Sequence, residues 1–184
     1  MDGPPAPTST AALRGGPRRG IVAALLTRPR ARDFGRMAIE AVWLVPLLLA
    51  IGWLGGLMHW RPTFDATIAR LALVAIVAPA LGEELLFRAA LLPNPAPARW
   101  PLGAIAASVA LFVLWHPIQA LVFGPHWAET VLDPWFLAAV AATGIALERL
   151  YLATGSIWPC VLLHWLVVVG WKALLGGPSP WLPS

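Results

Sequence analysis

Charge is scarce in this sequence: only 12% of its 184 residues are Asp, Glu, Lys or Arg. A soluble globular domain carries about 25%. With 59% hydrophobic residues and a mean hydropathy of +0.72, too little polar surface exists to wet a soluble fold of this size, so lipid has to cover the rest. Cysteine is scarcer still. The single Cys160 excludes an intrachain disulfide and any cysteine-based metal cluster, and its apolar setting reads as a small core residue rather than a nucleophile. No HExxH pair occurs, which removes the helical zinc-protease signature. There is no internal repeat and no series of ~10-residue alternating strands of the kind a membrane β-barrel needs. The first long apolar run starts near residue 41, beyond the ~15–30 residues of a secretory signal, so none is expected.

What the sequence does have is five apolar stretches, near Ala41–Met58, Thr67–Leu92, Pro101–Phe123, Pro134–Ala153 and Ile157–Leu175. A bilayer core of ~30 Å takes ~20 helical residues, and backbone polar groups cannot stay unpaired in lipid, so these stretches read as helices. The expected fold is all-α, a multi-pass transmembrane bundle of about five membrane helices. Its length permits one compact domain. Residues 1–36 read as a basic, partly disordered N-terminal tail, 37–177 as the membrane-embedded domain and 178–184 as a short tail. Trp60, Trp100, Trp127, Trp135, Trp158 and Trp181 fall near expected helix ends, where indole rings favour the interface.

Seven arginines precede residue 37: Arg14, Arg18, Arg19, Arg28, Arg30, Arg32 and Arg36. Basic arms of this kind bind nucleic acid in some proteins. Beside a membrane segment they read instead as a topology signal that holds the N-terminus in the cytoplasm, and no nucleic-acid partner is expected. The second and fourth connectors are then cytoplasmic, beside Arg99 and Arg149. The third is external and carries Glu129 and Asp133. Arg61 and Arg70 in the first external connector oppose this and are outweighed. The expected location is the cell membrane, a bacterial inner one.

An ionised side chain at mid-bilayer costs on the order of 3 kcal/mol or more, so each one needs a reason. The second stretch reads VAPALGEELLFRAALLP. Glu84 and Arg88 are four apart and share a helix face, where they can pair. Glu83 lies ~100° around the helix and is left over. It suits a general base, and a second salt-bridge partner for Arg88 is the bland alternative. In LFVLWHPIQA, His116 precedes Pro117, so the helix is expected to kink or end there and line a cavity. Phe112, one turn earlier, can pack on the imidazole. In GSIWPCVLLHWLVVVGWKALLGG, Ser156 is a candidate helix cap, Pro159 sits in the first turn and His164 lies deeper. Each histidine alone reads equally well as a core residue bonded to a carbonyl. His59 and His126 lie in connectors and read as solvated. One carboxylate and two histidines around a water are the minimum kit for hydrolysis. Counted along the helices, Glu83 and His164 are at similar depth and His116 is farther in, unless its helix starts late or kinks.

Glu83-Glu84-x-x-x-Arg88, then Phe112-x-x-x-His116, then His164 in a late apolar helix resembles the CPBP family of glutamic-type intramembrane proteases. That family comprises the CAAX prenyl proteases, including the Ras-converting endoprotease of eukaryotes, and bacteriocin-processing enzymes. The resemblance covers about Gly82 to Val168. It implies a helical bundle with a catalytic cavity. Glu83 would activate water, His116 would hold and polarise that water, and His164 would bind the water or the developing oxyanion. Glu84, Arg88 and Phe112 would be supporting residues. The implied partner is a membrane-anchored or lipidated peptide or protein in the bilayer: a CAAX-like tail, a leader peptide or a C-terminal sorting signal. No cofactor is required on this reading, with zinc held by the glutamate and two histidines as the open alternative. The sequence departs from the family at Val168, where an asparagine usually stands four residues after the histidine. Either another group supplies that amide, or the fold serves as a non-catalytic binding or immunity subunit. A bis-histidine haem protein is a third class, but it leaves Glu83, Glu84 and Arg88 without a role.

Overall fold

The computed structural model describes residues 20–92, 100–123 and 128–178. Most of the 1–36 and 178–184 tails, together with Arg99, His126, Trp127 and Trp181, lie outside the described residues. The chain forms helices α1 (Ile21–Leu26), α2 (Ala31–Leu54), α3 (Ala66–Ala89), α4 (Leu102–Phe123), α5 (Ala128–Leu132), α6 (Pro134–Thr154) and α7 (Trp158–Leu174). Four of these, α2, α3, α4 and α6, are long and apolar enough to cross a membrane, and α7 is an apolar helix of 17 residues. The protein is an all-helical membrane bundle. Its outer faces carry large apolar side chains such as Val42, Trp53, Leu73 and Leu121, all more than two-thirds exposed in the absence of lipid.

Helix α2 begins ten residues before the apolar stretch that announces it. Its first ten residues, ARDFGRMAIE, hold Arg32, Asp33, Arg36 and Glu40, which depress the hydropathy without opposing the helix. Asp33 accepts the Arg30 backbone N–H at 2.7 Å and closes the first turn. Glu40 is buried because Arg149 of α6 reaches it with Nε, 3.1 and 3.0 Å from its two oxygens, and Trp43 donates to it at 2.7 Å. That polar clamp lies against a core in which Leu44 and Leu48 of α2 pack with Ala146, Leu147 and Leu150 of α6 and Cys160 and Leu163 of α7.

Helix α3 is the irregular one. Ala78 has φ −134° and ψ 114°, outside the helical region, and the turns on either side carry wider, π-type backbone hydrogen bonding. The cause is Pro79, which disfavours helical dihedrals at the residue before it. The same rule predicted a kink or end at His116. The structure decides against an end there: α4 runs on through Pro117 to Phe123. Ser156 also departs from expectation. It does not cap α7; its hydroxyl donates to the Thr27 carbonyl at 2.7 Å and ties the α6–α7 turn to the end of α1. Pro159 does stand in the first turn of α7.

At the other end of α7, carbonyls that a helix terminus leaves open are taken up by an extended segment before α3. The His59, Arg61 and Thr63 N–H groups donate to Leu175, Leu174 and Ala173 at 3.0, 2.9 and 2.7 Å. His59 itself is exposed. Gly55, just past α2, packs against Trp135 at the start of α6 so closely that a Cβ would fall 2.4 Å from the Trp135 Cβ. Gly55→Ala is expected to lower stability by about 1–3 kcal/mol. Gly35→Ala, where a Cβ meets open space, should leave stability unchanged or raise it. Thermal unfolding of both variants in detergent measures the difference.

Candidate active site

Three helices bring the singled-out residues together. Helix α3 supplies Glu83, Glu84 and Arg88, α4 supplies Phe112 and His116, and α7 supplies His164. Glu83, Phe112, His116 and His164 all line one cavity of about 840 Å³, which also meets the break at Ala78 and Pro79. Irregular backbone at membrane depth is tolerated where it borders such a cavity. Trp165 of α7 donates to the Ala72 carbonyl at 2.7 Å, in the last regular turn before the break.

Glu84 and Arg88 are fully buried and paired, NH1 to Oε1 at 3.1 Å. The same Oε1 meets His164 Nδ1 at 2.9 Å. The carboxylate thus assigns the proton to Nδ1 and turns Nε2 toward Glu83, 3.8 Å from its Oε2. That separation is too long for a direct hydrogen bond and short enough for one water to touch both atoms. Glu83 Oε1 is occupied by the Trp115 indole N–H at 3.1 Å and the Gln119 amide at 3.4 Å, whereas Oε2 has no hydrogen-bond partner among the described residues. The carboxylate is oriented, with one oxygen held and the other presented to the cavity beside His164.

Phe112 is the hub of the apolar side. Its ring makes edge contacts with Phe87, His116 and His164 at centroid distances of 5.3, 5.2 and 5.9 Å, and the Arg88 guanidinium stacks over it at 4.2 Å. His116 Nδ1 lies 2.9 Å from the Phe112 carbonyl, so that nitrogen carries the proton and Nε2 remains available. His116 reaches the cavity wall without a direct hydrogen bond to Glu83 or His164 among the described residues. No three His, Cys, Asp or Glu side chains among the described residues converge closely enough to hold a metal ion.

Sequence reasoning missed three residues here. Trp115 and Gln119 flank the His116-Pro117 pair and face Glu83. Glu148 of α6 is fully buried, one turn on from Gly144, whose carbonyl faces Arg88, and Ser108 is its polar neighbour. Val168 lines the cavity and offers it no polar atom. Removing one partner of a buried ion pair leaves the other uncompensated. Arg88→Met is therefore expected to cost about 3–5 kcal/mol. Arg149→Met also leaves a buried acid, but Trp43 still donates to Glu40 and the arginine is 46% exposed, so its cost should be smaller. Unfolding midpoints of the two purified variants test the order.

The family model described as type II CAAX prenyl endopeptidase Rce1-like matches residues 65–170, the span that holds Glu83, Glu84, Arg88, Phe112, His116 and His164. No curated protein and no solved structure matches the chain. The matched span is more than half of the sequence, and the chain belongs to the Rce1-like family of type II CAAX prenyl endopeptidases.

Proposed function

We propose that this protein is an intramembrane endopeptidase that hydrolyses a peptide bond in a membrane-anchored or lipidated substrate, using a water activated by Glu83. The observation that carries this reading is the free Oε2 of Glu83, 3.8 Å from His164 Nε2 on the wall of a cavity. Water between these atoms is in reach of both. Glu83 takes a proton from it as the oxygen attacks the scissile carbonyl. The same proton then passes to the departing amine as the C–N bond breaks, leaving a carboxylic acid and a free amine; the acid then gives up its remaining proton to water. A placed general base contributes about 10²–10⁴-fold. Trp115 and Gln119 hold Oε1, so Oε2 is the atom that acts. Glu84 keeps His164 in the tautomer whose Nε2 accepts from the water, and Arg88 holds the Glu84 carboxylate in place. Phe112 sets the planes of both imidazoles.

The attacked carbonyl develops negative charge, and that charge needs a donor. Val168 supplies none. On this reading the Gln119 amide, 3.4 Å from Glu83 Oε1, turns from the carboxylate to the oxyanion as Glu83 becomes protonated. His116 lies on the same helix, one turn away. The excess of arginine in the N-terminal segment favours a cytoplasmic N-terminus. The apolar lining of the cavity suits a lipid-borne or transmembrane segment better than a soluble peptide.

Two outcomes follow, both measured with purified protein in liposomes and a farnesylated CAAX peptide as the probe. Glu83→Gln is expected to abolish cleavage while leaving the unfolding midpoint within a few degrees. Retained cleavage removes the mechanism, and peptide binding without turnover by the unsubstituted protein makes it a binding subunit. Gln119→Leu is expected to lower kcat by about 10²–10³-fold, the cost of one oxyanion donor. Gln119→Leu combined with Val168→Asn should recover part of that loss. A kcat unchanged by Gln119→Leu assigns the oxyanion to another group.

A further inference from the structure

Glu148 has no part in the chemistry above, yet it is an acid with no exposed surface and, among the described residues, no salt bridge; its polar neighbour is Ser108. Its chain neighbour Arg149 turns away to Glu40. The Ser108 hydroxyl beside it gives its proton to the Phe87 carbonyl at 2.6 Å. An acid buried alone in a membrane bundle costs several kcal/mol, and a methionine of similar shape would not. The stability of the fold therefore gives no reason for a glutamate at this position.

The surroundings do. Gly144 and Glu148 stand one turn apart on the same face of α6. The Gly144 carbonyl takes Arg88 NH2 at 3.5 Å, and a Cβ on Gly144 would lie 3.6 Å from that atom. Glu148 sits one turn on along the α6 face that meets the Arg88 guanidinium, and Arg88 Nε has no hydrogen-bond partner among the described residues. Arg88 thus stands between an acid on α3 and an acid on α6. A guanidinium with a single carboxylate neighbour favours two parallel bonds to it. Here its contact with Glu84 is single, through NH1, and the oxygen it touches is the one that holds His164.

We propose that Glu148 is a positioning residue of this peptidase: by drawing the Arg88 guanidinium from the α6 side, it keeps the Arg88–Glu84 contact single, so that Glu84 holds His164 Nδ1. The role rests on the reading of Glu83 and His164 given above. Glu148 touches no substrate and acts through Arg88 and Glu84. Its burial is a cost in stability that serves the orientation of His164.

Glu148→Gln and Glu148→Met, in the full chain and assayed on the farnesylated peptide beside the unsubstituted protein and Glu83→Gln, test it. Expected for both is an unfolding midpoint raised by roughly 2–4 °C, kcat lowered about ten-fold and KM within two-fold. A kcat equal to that of the unsubstituted protein overturns the proposal, as does a kcat that falls only in step with a lowered midpoint. A second readout does not depend on activity. In histidine-labelled protein the Nδ1–H proton of His164, bonded to Glu84, should shift or disappear in Glu148→Gln. An unchanged resonance overturns the role even if Glu83→Gln still cleaves and the catalytic reading has failed. If Glu83→Gln is inactive and Glu148→Gln is fully active, the positioning role alone falls.

Discussion

An ion in the interior of a membrane protein has to be matched by another ion, and that demand organises the centre of this molecule. Glu84 and Arg88 satisfy it on one helix, four residues apart and fully buried. With that pair in place, Glu84 can hold His164 of α7, and Arg88 can reach the Gly144 carbonyl of α6 and stack on Phe112 of α4. Four helices therefore meet on two charged side chains. Replacing such a pair with apolar residues of similar volume is often neutral or stabilising. Its retention in this bundle is better explained by what it orients than by what it stabilises.

The break in α3 complements the pair. A continuous helix would keep its carbonyls and N–H groups to itself and would pack against α7 along its whole length. Pro79 opens the ladder at Ala78, and the walls of α3, α4, α6 and α7 stand apart to leave a cavity with Glu83 and two histidines on its surface. Both α3 and α4 contain an X-Pro pair, and only the one in α3 leaves helical dihedrals. Pro117 is accommodated within α4, where the His116 side chain is bonded to the Phe112 carbonyl of the turn before it. Local propensity raises the same question at both prolines, and the packing around each answers it differently.

Much of the site was legible because charged and imidazole groups stand out in apolar helices and helical spacing tells which of them meet. Glu84 pairing with Arg88, Glu83 facing elsewhere, and Phe112 packing on His116 all follow from 3.6-residue periodicity. The convergence of α3, α4 and α7 followed from the resemblance and not from the spacing. What stayed hidden depends on tertiary partners. The first turns of α2 look too polar for the bundle until Arg149 of α6 is seen to neutralise Glu40. Glu148 reads as one half of a surface Glu-Arg dipeptide, because sequence cannot show that α6 turns the acid inward and the arginine to α2. Trp115 and Gln119 look like ordinary members of an apolar run, and only the placement of α3 beside α4 aims their N–H groups at Glu83.

The cavity wall at Val168 bears on how the oxyanion donor relates to the fold. A donor is defined by its distance to the atom that gains charge, not by the helix that carries it. Once Glu83 is oriented by donors from α4, any amide that already touches its carboxylate is within one hydrogen bond of the tetrahedral centre that forms beside it. On the proposed mechanism Gln119 meets that condition, and valine at 168 would then cost the site nothing while adding apolar surface to the cavity. On the proposed mechanism, moving the amide from α7 to α4 concentrates the orienting and stabilising donors on one helix. It leaves α7 with one duty at the reacting atoms, the presentation of His164, which Glu84 and Arg88 enforce from α3 and which Glu148 would enforce from α6.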